Sequence, residues 1–280
     1  MPPAPGDREL DAAAIPLPVL AARLEGIRRT VGAIRYGSRF RVGCAQVVLN
    51  PDSPLASANC AGTVAGSPPA AAATIEELPV VWAEAGRNTV VLVDSPSCLP
   101  ELGSLAEEAG YTAEREDAVL VLRRPDALAE GEPGRLAMPV AETAEWRVPG
   151  VLAEAYGWPA GVERRIGIVV GHRLDDPRVA AFGVAADGEL VAVALSFVDG
   201  GVGWVGELGV RPGYRHRRFG RAVASAAVAD CLLRGASCVA TGAEAGGFGQ
   251  RFWAGVGFVT AYEEVTYLCR IDAVRDSGLA

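Results

Sequence analysis

The chain has 280 residues, half of them hydrophobic, and a net charge of −8. This acidic balance disfavours DNA or another polyanion as the main partner, and no apolar run approaches the ~18 residues that a transmembrane helix needs. The six cysteines form no CxxC pair and only two histidines occur, so neither a disulfide framework nor a metal site is expected. The N-terminus lacks the basic region of a signal peptide, which makes the cytoplasm the expected location.

The first half of the chain is predicted to alternate helices and strands. Thr74 followed by Glu77 has the spacing of a capping box, which predicts that a helix begins there. A Val-rich run of strand length follows at 88–93. The predicted elements are a helix at 18–29, a strand at 39–49, a short strand at 60–65, a helix at 74–85, a strand at 88–93, a helix at 99–109 and a strand at 118–123.

A stretch rich in Pro, Glu and Gly at 124–134 is predicted to link two domains. Beyond it, Asp187-Gly188 lies between two strand-like runs and predicts a tight hairpin turn. Gly235 is expected to end a helix. The predicted elements are a strand at 136–140, helices at 148–156 and 161–170, strands at 179–185, 189–198 and 202–210, a helix at 221–234, a strand at 237–241, a helix at 248–254 and a strand at 260–270.

The most informative stretch is an arginine-rich turn at 209–222, which reads Gly-Val-Arg-Pro-Gly-Tyr-Arg-His-Arg-Arg-Phe-Gly-Arg-Ala. It joins a predicted strand to an Ala-rich helix, so backbone N–H groups and the positive end of the helix dipole converge there. Arginine side chains add charge, and a phosphate or pyrophosphate is the expected ligand. The G-x-G-x-x-G pattern at 201–206 leads into a strand and not a helix, so we interpret it as a turn and not as a dinucleotide-binding loop.

The arginine-rich turn resembles the acyl-CoA-binding motif of the GNAT acetyltransferase superfamily, in which Val-x-Pro is followed by Arg/Gln-x-x-Gly-x-Gly/Ala at the start of a helix. Val210, Pro212, Arg215 and Gly220 match that pattern. Arg218 departs from it, because it stands where the family usually has its first glycine, and an arginine is strained if that position needs a positive φ.

A second motif extends the resemblance, since Trp-Ala-Gly-Val-Gly-Phe at 253–258 is similar to the family's Tyr-x-x-x-Gly-Phe. Together the matches cover about residues 135–270. They imply a mixed α/β fold with a mostly antiparallel sheet and flanking helices, and they imply acetyl-CoA as acyl donor with no metal. The pantetheine arm would pair with strand backbone and the pyrophosphate would lie on the turn. The residues implied to bind CoA are Leu208, Gly209, Val210, Arg215, His216, Arg217, Arg218, Phe219, Gly220 and Arg221.

The two halves also resemble each other. Gly110-Tyr111 precedes the last strand of the first half as Gly257-Phe258 precedes the last strand of the second, and similar helices and strands come before both pairs. This echo predicts two GNAT-like domains in tandem. Residues 1–130 would be a degenerate copy, because 61–73 lacks the CoA motif, and residues 131–280 would be the acyltransferase domain.

A general base is needed to deprotonate an ammonium substrate, and a carboxylate near the splayed strands is the usual choice. The family often has one six residues before the motif valine, where this chain has Trp204. Glu207 on the same strand is the first candidate, although strict alternation places it on the opposite face from Trp204 unless a bulge intervenes. Glu244, just past the next strand, is the second candidate.

The tyrosine that many relatives use to protonate the CoA thiolate corresponds to Trp253, whose indole cannot supply a proton. Tyr262 and Tyr267 are substitutes to consider, but aromatic residues in a terminal strand favour a core position. Water in place of the acid is the remaining alternative.

The resemblance implies an N-acyltransferase that moves an acetyl group from acetyl-CoA to a small-molecule amine by direct attack. One alternative is a CoA-binding pseudoenzyme that acts as a sensor or partner protein. Another is a GNAT-fold transferase with a different donor, such as an aminoacyl-tRNA, against which the net charge of −8 weighs. The expected partner is the amine, with no DNA and no membrane, and a homodimer is left open.

Overall fold

The structure is a computed structural model, and it describes residues 15–123, 137–140 and 147–271. These residues form seven α-helices and eleven strands. The helices are α1 (Leu17–Gly32), α2 (Pro68–Glu84), α3 (Leu102–Glu108), α4 (Val148–Tyr156), α5 (Ala160–Leu174), α6 (Phe219–Leu233) and α7 (Phe248–Gly255). The strands are β1 (Ser38–Val42), β2 (Ala45–Leu49), β3 (Asn59–Gly62), β4 (Thr89–Asp94), β5 (Thr112–Leu122), β6 (Met138–Pro139), β7 (Val179–Ala186), β8 (Glu189–Asp199), β9 (Val202–Val210), β10 (Cys238–Glu244) and β11 (Phe258–Arg270).

All the described strands belong to one sheet, in the order β1-β2-β3-β4-β11-β5-β10-β9-β8-β7-β6. Neighbouring strands are antiparallel except in two pairs, β3–β4 and β9–β10, which are parallel. Each half of the chain supplies one of these parallel pairs. The expected mixed α/β fold with a mostly antiparallel sheet is therefore confirmed.

The last strand of each half is inserted next to strands of the other half. β5 lies between β11 and β10, while β11 lies between β4 and β5. In the central antiparallel pair, Phe258 is opposite Leu122 and Leu268 is opposite Thr112. The two halves thus share one hydrogen-bonded sheet. The proposed division into 1–130 and 131–280 stays a prediction, because the linker at 124–134 lies outside the described residues.

A glycine with left-handed backbone precedes each exchanged strand. Gly110 has φ of 84° and Gly257 has φ of 100°, a conformation that residues with a Cβ atom rarely adopt. The aromatic residue that follows, Tyr111 or Phe258, is buried in the core of its half. The Gly-aromatic pairs seen in the sequence therefore occupy equivalent places in the two halves.

Helices cover both faces of the sheet, and the alternation of β8 shows which helices share a face. Val193 and Leu195 pack against α4 and α5, and Phe197 packs against α1, so these helices lie on one face. Ala192 and Ala194 point the other way and pack with α6 and α7. Among the buried side chains, fully buried leucines each contribute roughly 1.5–3 kcal/mol relative to exposure.

Two predictions for the first half are wrong. The single strand expected at 39–49 is a hairpin, because Gly43 adopts φ of 49° and reverses the chain between β1 and β2. The helix expected to begin at Thr74 begins at Pro68, where proline suits the first turn. The Thr74 hydroxyl donates instead to the carbonyl of Ala70 at 2.7 Å, inside the helix. Of the strand expected at 136–140, Met138–Pro139 is observed.

Candidate active site

The parallel strands β9 and β10 separate along their length and open a cleft. They pair from Val202–Cys238 to Trp204–Ala240 only. Just beyond, the Thr241 hydroxyl donates to the carbonyl of Val205 at 2.8 Å. The strands then continue apart to their ends, and a cavity of about 860 Å³ occupies the space between them and the turn before α6. Residues 202–206 of the G-x-G-x-x-G pattern lie inside β9, so the interpretation of the pattern as a turn holds for Gly201 alone; no helix follows it directly, in agreement with the rejection of a dinucleotide-binding loop.

A bulge in β9 decides which way its side chains point. Gly209 is opposite Val193 and Gly206 is opposite Leu195, so Glu207 and Leu208 together face one residue of β8. Glu207 has φ of 43°, the left-handed backbone typical of a bulge. The extra residue reverses the alternation, and Glu207 lies on the same face as Trp204. The expectation from strict alternation, that these two residues lie on opposite faces, is therefore wrong.

The edge of β9 that faces the cleft carries backbone groups that pair with no neighbouring strand. The Arg211 N–H donates to the carbonyl of Val191 in β8 at 2.9 Å. In an antiparallel pair such groups alternate, so the N–H and carbonyl of Val210 and the carbonyl of Leu208 point away from β8 and into the cleft. The Tyr156 hydroxyl, from the end of α4, donates to that Leu208 carbonyl at 2.9 Å.

The turn between β9 and α6 presents the start of the helix to the cavity. His216 and Arg218 have φ of 65° and 63°, so two residues with side chains adopt left-handed backbone. Strain at Arg218 is thus observed, where the family pattern has glycine. The first helical hydrogen bond runs from Ala222 N–H to the Arg218 carbonyl at 3.1 Å, which leaves the N–H groups of 219–221 without helical acceptors. A dipole end of this kind attracts anions.

The arginines of the turn are anchored to their surroundings. The Arg215 guanidinium donates to the carbonyl of Ala155 at 2.8 Å, and that of Arg221 contacts the carbonyl of Gly255 at 3.4 Å. Arg217 points elsewhere, and its guanidinium carbon lies 5.1 Å from the centre of the Tyr214 ring. Of the residues expected to bind CoA, the structure brings all but Arg217 to the wall of the cavity: Leu208, Gly209, Val210, Arg215, His216, Arg218, Phe219, Gly220 and Arg221.

Comparison with protein families agrees with this geometry. Residues 146–258 match the model of the acetyltransferase (GNAT) family. That segment is a GNAT domain. It contains the splayed strands, the bulge and the turn before α6. No protein of curated function matches the chain at a significant level of sequence similarity.

Solved structures share the fold over most of the chain. A GCN5-related N-acetyltransferase from Kribbella flavida aligns with a TM-score of 0.69 and 19% identity, over 89% of this chain and 95% of its own. A functionally unknown conserved protein from Staphylococcus epidermidis aligns with a TM-score of 0.65 and 14% identity, over 85% of this chain and 95% of its own. A tandem GNAT protein from the clavulanic acid biosynthesis pathway aligns with a TM-score of 0.58 and 14% identity, over 91% and 93%. At these identities the likeness concerns the fold.

The two candidate bases of the GNAT domain differ in their surroundings. A carboxylate oxygen of Glu207 contacts the guanidinium of Arg173, a side chain of α5 that is only 4% exposed. Glu244 is exposed at the end of β10, and it forms no ion pair with any residue that the structure describes. Both glutamates line the cavity. Trp204 lies behind this wall, with its ring against Gly206 and Gly242.

The tyrosines considered as proton donors lie away from the cavity. Trp253 does line it, while Tyr262 and Tyr267 are buried in the cores beneath α1 and around α2 and α3. Burial raises the pKa of Tyr262 far above its usual range. The core position favoured for both residues is therefore observed. A phenol at the cavity comes instead from Tyr156, which sequence reasoning missed because nothing local reveals that the end of α4 reaches the bulge.

The parallel pair of the first half has no such opening. β3 and β4 pair at Ala61–Leu92, and beyond that point the chain closes the gap itself. The Leu99 N–H donates to the carbonyl of Val64 at 2.9 Å, and the Val64 N–H contacts the Cys98 sulfur at 3.4 Å. The segment after β4 thus joins the segment after β3, where the second half has its cleft.

Two further properties of the described residues bear on function. They include no group of three or more His, Cys, Asp or Glu side chains placed to hold a metal ion. Within the same ranges, no helix has the length and apolar character needed to cross a bilayer.

Proposed function

We propose that this protein is an acyl-CoA-dependent N-acyltransferase that moves an acetyl group from acetyl-CoA to a small-molecule amine by direct attack. The observation that carries the proposal is a single cavity that joins the start of α6 to the free backbone edge of β9. A helix start suits a pyrophosphate and a free strand edge suits the amides of an extended arm. The membership of residues 146–258 in the GNAT family supports the same chemistry.

The shape of the cavity gives the donor one direction. With the pyrophosphate on the N–H groups of 216–221, the pantetheine arm would run along β9 from Val210 towards Leu208. The thioester would then lie at the bulge, where β9 and β10 come together. Binding energy gained along the arm and at the pyrophosphate would hold the thioester in place for attack.

Glu207 is the proposed base, because the bulge turns it into the cavity and Arg173 holds its carboxylate in one position. It would take the proton that the amine loses as nitrogen attacks the thioester carbon. Glu244 is the alternative base, since it lines the same cavity and is exposed to solvent that can relay a proton. Trp204 is excluded from this role because an indole does not accept a proton in this way.

Binding of CoA is tested first, by calorimetry with CoA alone. A Cβ atom at Gly220 would lie 3.4 Å from Val210 and 3.6 Å from Phe252, which are ordinary contacts, so Gly220→Ala should bind CoA nearly as the parent does. Gly220→Glu introduces an acidic residue into the first helical turn, where the helix dipole favours it, but its negative charge repels the pyrophosphate. It should weaken binding by at least about tenfold. Equal affinity in both variants would contradict the proposed pyrophosphate site.

Catalysis is tested by release of free thiol from acetyl-CoA with a panel of small amines. Glu207→Gln should lower kcat/KM by about 100-fold, because a general base contributes on that order, and should remove the acidic limb of the pH profile. Glu244→Gln is the matched variant, and it should have the smaller effect. The reverse ranking would transfer the role of base to Glu244.

A second candidate is a CoA-binding pseudoenzyme, and Trp253 in place of the family's tyrosine favours it. Tight CoA binding without thiol release across a broad panel of amines would support this alternative over catalysis. A GNAT-fold transferase that uses an aminoacyl-tRNA has less support at a net charge of −8. The cytoplasmic location, the homodimer and the two-domain division stay predictions, and light scattering checks the homodimer.

A further inference from the structure

The proposed transfer leaves a thiolate that must gain a proton, and Trp253 cannot supply it. Two tyrosines line the cavity within the described part of the chain, Tyr156 and Tyr214. They lie at different places. Tyr214 belongs to the turn before α6, and its hydroxyl is 3.1 Å from a carboxylate oxygen of Asp187 in the hairpin turn. Tyr214 is therefore engaged at the pyrophosphate end of the cavity.

Tyr156 reaches the bulge instead. Its hydroxyl is 2.9 Å from the Leu208 carbonyl, one of the backbone groups that point into the cleft. Its ring stacks on Trp158 with the ring centres 5.0 Å apart and the planes 18° from parallel. The stacking and the hydrogen bond fix the hydroxyl at the point where an arm running along β9 would end.

We propose that Tyr156 is the general acid that protonates the sulfur of the departing CoA, an inference that rests on the proposed acyltransferase function. The amine nitrogen forms a bond to the thioester carbon, and Glu207 takes the proton that the nitrogen loses. The carbon–sulfur bond breaks and its electron pair stays on sulfur. The Tyr156 hydroxyl proton passes to that sulfur, and the resulting tyrosinate recovers a proton from water.

The surroundings of Tyr156 keep its hydroxyl in the protonated form. Reduced hydration of the hydroxyl and the nearby carboxylate of Glu207 raise the pKa of Tyr156, so the phenol is protonated at neutral pH. The acid and the base then meet at the bulge, because the Tyr156 hydroxyl bonds to the carbonyl of the residue that follows Glu207. If the hydroxyl only held the bulge in place, the loss of activity on removing it would be the same for every leaving group. If it protonates the leaving group, the loss depends on how basic that group is, and this difference can be measured.

The test compares acetyl-CoA with acetyl-seleno-CoA, which offers the same binding groups but releases a far less basic selenolate. With acetyl-CoA, Tyr156→Phe should lower kcat by about 100-fold, the order of a general-acid contribution. With the selenoester the loss should shrink to less than about threefold, because that leaving group needs no proton. An equal loss with both donors would overturn the proposal and assign Tyr156 a positioning role. Tyr214→Phe is the matched control and should affect both donors by the same factor.

A second readout needs no amine and no turnover. A hydroxyl that donates to sulfur stabilises the thiolate of bound CoA, so Tyr156→Phe should raise the pKa of the bound thiol by about one. The ultraviolet absorbance of the thiolate follows this titration. The same thiol pKa in both proteins would also overturn the role of Tyr156. Absence of CoA binding by the unaltered protein would instead refute the proposed function, and this inference with it.

Discussion

The two parallel strand pairs of this protein have the same topology, but one opens into a cavity and the other is closed by the chain itself. β9 and β10 separate around a cavity of about 860 Å³, with the backbone of Leu208 and Val210 turned into it. β3 and β4 separate as well, but there the N–H of Leu99 donates a hydrogen bond to the carbonyl of Val64. We call β3–β4 the closed pair and β9–β10 the open pair. Buried backbone groups must find a partner, and in the closed pair another segment of the backbone provides it, whereas in the open pair the N–H and carbonyl of Val210 face the cavity.

A buried carboxylate lies beside the closed pair. Glu25 of α1 is 3% exposed and forms an ion pair with Arg29 at 3.2 Å. It also accepts hydrogen bonds from the hydroxyls of Thr63 at 2.7 Å and of Ser97 at 2.7 Å, and from that of Ser95. The closed pair therefore also has a carboxylate beside it, but this one comes from a helix and its hydrogen-bonding capacity is used within the protein. One carboxylate serves stability and the other faces a cavity.

Removal of the buried carboxylate should produce the largest effect on folding. Glu25→Ala leaves the charge of Arg29 and three hydroxyls without their acceptor, so the free energy of unfolding should fall by about 3–5 kcal/mol. Denaturation in urea measures it. Glu207→Ala is the matched variant and should lose much less stability, because its side chain is 23% exposed. If the two losses were equal, the contrast between a structural and a functional carboxylate would fail.

The free energy of unfolding should also depend on pH through Asp94, at the end of β4 in the closed pair. Burial, together with the charge of Glu25, raises the pKa of Asp94 to about 6, although the Gly103 N–H opposes the shift. A raised pKa in the folded state means that stability is greatest at low pH and falls as pH rises through about 6. Asp94→Asn should match the parent near pH 4 and be more stable at pH 8 by about 1 kcal/mol, a value reduced for solvent screening.

Urea denaturation of both proteins at several pH values measures this difference. A constant difference for Asp94→Asn between pH 4 and pH 8 would contradict the assignment.

Relief of strained backbone should have the smallest effect on stability, and the sign of that effect should differ between the two pairs. Arg218→Gly should stabilise the fold by about 0.5–1 kcal/mol, because relief of the left-handed strain exceeds the added entropy of the unfolded chain. Thr63 is also left-handed, with φ of 49°, but its hydroxyl bridges Glu25 and Arg29. Thr63→Gly should therefore destabilise. Thermal unfolding of both variants checks the opposite signs, and the same sign for both would break the comparison.

The local features of this protein could be predicted from its amino-acid sequence. The Asp187-Gly188 turn, the end of α6 at Gly235 and the strand–turn–helix at 209–222 all follow from the backbone preferences of the residues concerned. Both residues of that hairpin turn have positive φ, at 54° and 79°. Most of the cavity wall proposed to bind CoA could be predicted for the same reason, because a helix start and the strand before it are contiguous in the chain.

The place of the proposed chemistry depends on contacts between segments that are far apart in the chain. The bulge that turns Glu207 towards Arg173 depends on the register between β8 and β9, and the approach of Tyr156 to Leu208 depends on how α4 packs. The exchange of β5 and β11 and the closure by Leu99 likewise join residues distant in the chain. Such contacts are set by burial and by the need to pair every backbone group, which no short stretch of sequence can express.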